Sequence, residues 1–119
     1  MLGVDVGTRP DLDARVPELA LDATEHLGRG GPNATVLIDH DHIGDGYGEL
    51  SDACGDALRH FARAEGLLLD PVYSGKAAAA MFTALRDKRI DGDETVVFWA
   101  TGGAPALFAR RYESILTGP

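Results

Sequence analysis

The chain has 119 residues, with 11 Lys+Arg against 19 Asp+Glu, a formal net charge of −8 and 45% hydrophobic residues, enough for one core and too little for two. This excess negative charge repels phosphate backbones and anionic lipid; the cations are dispersed, Lys88-Arg89 and Arg110-Arg111 being the only adjacent pairs, so neither a nucleic-acid nor a membrane partner is expected. The single cysteine, Cys54, excludes an internal disulfide and a multi-cysteine zinc site, and with no basic or long apolar leader at the N-terminus the expected compartment is the cytoplasm.

From the N-terminus, Leu2, Val4 and Val6 alternate with Gly3 and Asp5, which predicts a short strand with one face buried. The pattern opens without a leader or cap, as though the chain began inside a domain. From Asp11 the spacing turns helical: Leu12, Val16, Leu19, Ala20, Ala23 and Leu27 recur at three and four residues, with Gly28 after the end. Residues 28–33, rich in glycine with Pro32 and Asn33, predict a loop. Val36, Leu37 and Ile38 then form a continuous apolar run ending at Asp39, as in a parallel strand covered on both faces.

Residues 40–48, with Gly44, Gly46 and Gly48 around Tyr47, are too rich in glycine and charge for a helix and predict a loop at that strand's carboxyl end. Ser51 caps the next helix, whose Ala53, Ala57, Leu58, Phe61 and Ala62 keep the helical period, and Gly66 stops it. Residues 67–69 are a short buried leucine run, broken by Asp70-Pro71. After a turn carrying Tyr73, Ser74 caps an alanine-rich helix through Leu85, which ends before Asp91-Gly92-Asp93. Val96, Val97, Phe98 and Trp99 read as a buried central strand, residues 101–103 as a tight turn, and Pro105 as the start of a last helix reaching Tyr112. Alternating strands and helices predict an α/β fold: a small parallel sheet of three or four strands with helices on both faces. With no repeat or linker, residues 1–119 are one unit.

In such a sheet, ligands bind outside the carboxyl ends of the strands, which selects the loops at 40–48, 70–75 and 101–104. The last has the mechanics of an anion or cofactor site, since Gly102 and Gly103 allow close backbone approach before a helix start; the same residues also suit a plain glycine turn. Tyr47, stripped of neighbours by its glycines, can stack on a ligand, donate its hydroxyl, or pack over helix ends. Ser74 reads as an N-cap and Lys76, although it opposes the helix dipole, as a solvated lysine. The D-H-D-H run at 39–42 raises a metal site at His40 and His42, but two histidines fall short of the usual three protein ligands. Cys54 is expected to pack as a small hydrophobe.

Three segments carry a resemblance: E-G-L-L-L-D-P-V-Y-S-G-K at 65–76, F-W-A-T-G-G-A-P-A-L-F at 98–108, and D-G-Y-G at 45–48. In their order along the chain, with the alanine-rich helix between 65–76 and 98–108, they resemble the C-terminal third of the D-cysteine desulfhydrase and aminocyclopropane-carboxylate deaminase family. The resemblance implies part of the large domain of a tryptophan-synthase-β-like enzyme with pyridoxal phosphate as cofactor. It places Tyr47 and Tyr73 on the substrate side as catalytic residues, and Thr101, Gly102 and Ser74 on the cofactor side, with Thr101 at the pyridine nitrogen. No metal is implied.

The deaminase branch has glutamate after the second tyrosine, whereas the desulfhydrase branch, like this chain at Ser74, has a hydroxyl residue there. The implied reaction is therefore β-elimination, taking D-cysteine to pyruvate, ammonia and sulfide, rather than cyclopropane opening. In the family the Schiff-base lysine and the phosphate loop lie upstream of this region, and neither Lys76 nor Lys88 matches that lysine. The chain is thus expected to be a fragment or split subunit, inactive alone, whose partners are a small D-amino acid, a missing N-terminal half or homologous subunit, and a second copy if the family's homodimer persists. The alternative is a non-catalytic remnant or anion-binding module associating with a complete homologue.

Overall fold

The computed structural model describes residues 1–29 and 35–117. Its elements are β1 (Leu2–Val4), α1 (Leu12–His26), β2 (Leu37–Asp39), α2 (Asp52–Glu65) and α3 (Ser74–Arg86), followed by 3₁₀ turns at Ala104–Phe108 and Arg110–Tyr112 and a short α4 (Glu113–Thr117). β1 and β2 pair in parallel, with Leu2 opposite Leu37, Gly3 opposite Ile38 and Val4 opposite Asp39. One further bond at each end, Leu37 N to Met1 O at 2.9 Å and Asp5 N to Asp39 O at 2.8 Å, closes the ladder. The predicted α/β class and parallel pairing are both present. Part of the loop expected at 28–33 falls outside the described residues.

The core lies between α2 and α3. Ser51 accepts the Cys54 N–H at 3.2 Å, and Gly66, at φ 65°, ends α2 in the left-handed conformation, where glycine is favoured for want of a Cβ. Between these caps, Cys54, Ala57 and Leu58 meet Ala78, Ala79 and Leu69. The alanines let the helix backbones approach, and Phe61, Phe82 and Phe98 seal the margin, with Phe61 5.6 Å from Phe82 and 5.4 Å from Phe98 between ring centroids. Gly75 makes the approach possible at the start of α3: a Cβ there would lie 2.7 Å from both the Asp70 carbonyl oxygen and the Cys54 sulfur.

Two apolar runs depart from expectation. Of residues 67–69 only Leu69 is buried. Residues 96–99 form no strand: Phe98 packs against Phe61, while Val97 and Trp99 are 77% and 81% exposed. A strand needs a neighbour for its N–H and C=O groups, and among the described residues this run has a helix on one side and solvent on the other. Among the described residues the sheet accordingly has two strands, not three or four. The helix expected from Pro105 winds instead as 3₁₀ turns before α4. Among the described residues no helix is long and apolar enough to cross a membrane.

Candidate active site

The three loops selected from the sequence meet through the Asp70 turn. The fully buried Asp70 carboxylate accepts the amides of Val72, Tyr73 and Ser74, each at 2.8 Å, and the Ser74 hydroxyl at 2.5 Å. Its own amide donates to the Ser74 Oγ at 2.8 Å. Asp70, not Ser74, therefore satisfies the free N–H groups at the start of α3, which corrects the assignment of Ser74 as the cap. Burial raises the Asp70 carboxyl, but the bonds from Ser74, Tyr73 and Val72 outweigh it and hold it below the ordinary carboxylate value.

Gly103 presses on this carboxylate. At φ 99° a Cβ there would lie 2.7 Å from both Cγ and Oδ1 of Asp70, so only glycine lets the corner at 101–103 sit against the turn. Thr101 is exposed, and a Cβ on Gly102 would meet nothing within 4 Å, so this corner has an open side.

The loop at 40–48 completes the group. Tyr47 and Tyr73 are 50% and 41% exposed, their hydroxyls hydrogen-bond to each other, and their rings meet edge-on with centroids 6.0 Å apart. The bond to Tyr47 raises the ionisation of Tyr73 above the ordinary phenol value. Gly48 O accepts the Tyr112 hydroxyl at 2.5 Å, and Glu49 accepts from Arg111 at 2.7 Å. Lys76, expected in solvent, is 0% exposed and donates to Ile43 O at 2.5 Å and Gly46 O at 2.7 Å. Burial lowers its ammonium, opposed by Cys54, Glu49 and Asp5.

The histidines are structural ties. His40 bridges Asp5 and Asp13, each at 3.0 Å, and these bonds, Asp5 first, raise its imidazole above the ordinary value. His42 lies 2.7 Å from Asp39 and 3.0 Å from Thr83, joining β2 to α3. Among the described residues no group of three or more His, Cys, Asp or Glu side chains is arranged to hold a metal ion. Cys54 is buried as expected, its sulfur 3.5 Å from Pro71 O, and burial pushes its thiol up to about 11.

Sequence reasoning thus named Tyr47, Tyr73, Thr101, Gly102 and Ser74, with Gly103 as a point of close backbone approach, and missed Asp70 and the burial of Lys76. An Asp four residues before a helix's first Ser, and a lysine placed against the helix dipole, were the available signals. A family model for pyridoxal-phosphate dependent enzymes matches residues 2–102, a span that takes in both tyrosines, the Asp70 turn, Thr101 and Gly102. The residues fit such a group in part: Thr101 and the open side of Gly102 are free to receive a ring, whereas the Ser74 hydroxyl is already engaged by Asp70. With that match over most of its length, the chain belongs to the pyridoxal-phosphate dependent enzyme family.

Proposed function

We propose that this chain supplies the substrate-facing C-terminal part of a carbon–sulfur lyase resembling D-cysteine desulfhydrase. The observation that carries the reading is the exposed Tyr47–Tyr73 hydroxyl pair, in which Tyr73 shares through its amide the Asp70 carboxylate that Gly103 abuts. Pyridoxal phosphate, when bound, supplies the electron sink that makes the α-proton of an amino acid removable.

The chain's own residues do the rest by position. The Thr101 hydroxyl would meet the ring nitrogen as a neutral partner, and Gly102 would let the ring approach the backbone. Ser74, locked to Asp70, sets the turn that aims Tyr73 and brings no charge where a carboxylate would favour ring opening. Tyr73, hydrogen-bonded to Tyr47, is placed to hold or pass a proton at its hydroxyl oxygen. In the overall reaction D-cysteine and water give pyruvate, ammonia and hydrogen sulfide: the Cα–H, Cβ–S and Cα–N bonds break, a C–H bond forms at Cβ, the sulfur leaves with a proton, the nitrogen leaves as ammonia, and water supplies the keto oxygen.

Neither lysine of the chain is placed to tether the cofactor. Lys76 is buried against two carbonyls, and Lys88 follows the far end of α3, roughly 20 Å along the helix from Tyr73 at 1.5 Å per residue. The reading therefore assigns the Schiff-base lysine and the phosphate loop to an N-terminal half or a homologous subunit.

The test is co-expression with the lysine-bearing half of a D-cysteine desulfhydrase, followed by assay of pyruvate and sulfide from D-cysteine. The expected result is a complex that releases both and frees no ammonia from 1-aminocyclopropane-1-carboxylate. A stable complex that binds cofactor but releases no sulfide would overturn the reading in favour of a non-catalytic module.

A further inference from the structure

Lys76 is the one basic side chain buried among the described residues, and its position is costly on two counts. An ammonium removed from water needs compensating partners, and a cation in the first turn of a helix opposes the dipole. No carboxylate pairs with it among the described residues; both of its acceptors are backbone carbonyls of one loop, Ile43 and Gly46. Gly46 immediately precedes Tyr47, and Lys76 lies three residues after Tyr73, in the same turn of α3. One helical turn therefore carries both the hydroxyl partner of Tyr47 and the group that grips its loop.

We propose that Lys76 is a positioning residue, whose ammonium clasps the carbonyls of Ile43 and Gly46 and so fixes the Tyr47 hydroxyl against that of Tyr73. The clamp makes the loop and the start of α3 one body. Two exposed tyrosines joined by their hydroxyls and one ring edge would otherwise lose that contact to rotation of either ring and to water. Gly46, at φ 144° and with open space where a Cβ would be, lets its carbonyl turn inward to the ammonium while Tyr47 turns outward.

The inference rests on reading the two tyrosines as one substrate-facing pair, but its test uses the chain alone, without cofactor or substrate, so a failed lyase assay leaves its outcome untouched. The readout is the NMR cross-relaxation between the Tyr47 and Tyr73 rings, with the Phe61–Phe82 pair, 5.6 Å apart, as the internal control for folding. In Lys76→Met, which keeps length and loses the ammonium, the tyrosine signal is expected to vanish while the phenylalanine signal persists. Persistence of both signals would overturn the proposal.

A second measurement decides the matter even if Lys76→Met does not fold. In Tyr47→Phe, whose altered atom is at the surface, the Glu49 amide, bonded to Gly46 O at 3.2 Å, is expected to keep its protection from hydrogen exchange because the clamp is intact. Loss of that protection would show that the tyrosine pair holds the loop, and the proposal would fall.

Discussion

The two ends of this molecule are built from sequence signals of similar clarity and reach different degrees of order in packing. The α2–turn–α3 half buries Cys54, Ala57, Leu58, Leu69, Ala78 and Ala79 and satisfies the start of α3 with a carboxylate at its centre. At the other end α1, helical over fifteen residues, has no buried residue at all, and the sheet beside it has two strands with Leu2 and Leu37 exposed. A regular pattern secures an element, but burial depends on what stands opposite. The candidate site is accordingly anchored from the helix side: Tyr73, Lys76 and Asp70 all belong to the tight half, and the loop bearing Tyr47 is gripped from there.

The strongest way to break this contrast is through Asp70. Asp70→Ala leaves three amides and a hydroxyl without their acceptor, and is expected to cost on the order of 3 kcal/mol, since a buried donor left unsatisfied costs about 1–3 kcal/mol. Urea unfolding measures it, and a loss below about 1 kcal/mol, typical of a surface change, would contradict the role given to the turn. The pH dependence has a definite sign. Because the folded carboxyl titrates below its ordinary value of 3.8, its contribution is whole above that value and is lost as pH falls through the lower folded one. Asp70→Asn should remove that part of the acid transition.

Next in size is Gly75→Ala. The added methyl would stand 2.7 Å from Asp70 O and from Cys54 Sγ, and overpacking of this kind costs about 1–3 kcal/mol. Thermal unfolding of the variant should show it, along with faster reaction of the otherwise shielded Cys54 with a thiol reagent. In the unaltered chain that thiol, pushed up to about 11 by burial, is expected to react only as fast as the helix pair opens.

The looser end responds to a gentler change. His40, raised by Asp5 and then Asp13, ties α1 to the carboxyl end of the sheet. That tie is complete below the ordinary imidazole value of 6.5 and weakens as pH rises through the higher folded value. Protection factors in α1, with the intrinsic base-catalysed rate divided out, should fall over that interval while those in α2 and α3 stay unchanged, and His40→Asn should abolish the difference. Smallest of all, Val97→Ser, at a side chain 77% exposed, should shift stability by no more than about 0.5 kcal/mol; a larger loss would mean that residues 96–99 belong to the tight half after all.

These contrasts follow what the sequence made legible. Ser51 and Gly66 bound α2 where the capping rules place them, because a cap is a local event among neighbouring residues. Parallel pairing of β1 and β2 was readable from two short apolar runs with a helix between them. The run at 96–99 was not, since whether an apolar stretch becomes a strand depends on a pairing edge that its own residues do not encode. Asp70 looked like the residue that Pro71 restricts, and only the fold shows its carboxylate turned back on three amides. Lys76 was invisible as a clamp because helical spacing tells which face it occupies and not which loop crosses that face. That Tyr47 and Tyr73 share a substrate-facing side is what the family resemblance implied, and their pairing through hydroxyls and ring edge comes from the structure.

The proposed division of labour between this chain and a lysine-bearing half is most directly tested by borohydride reduction of the purified chain after incubation with pyridoxal phosphate, followed by peptide mapping. With Lys76 clasped between two carbonyls and Lys88 remote from the tyrosines, no stoichiometric labelling of either lysine is expected, and on the proposed reading labelling appears on the lysine of a co-expressed desulfhydrase half. Stoichiometric labelling of Lys76 would contradict both the clamp and the assignment of the cofactor's tether to another polypeptide segment.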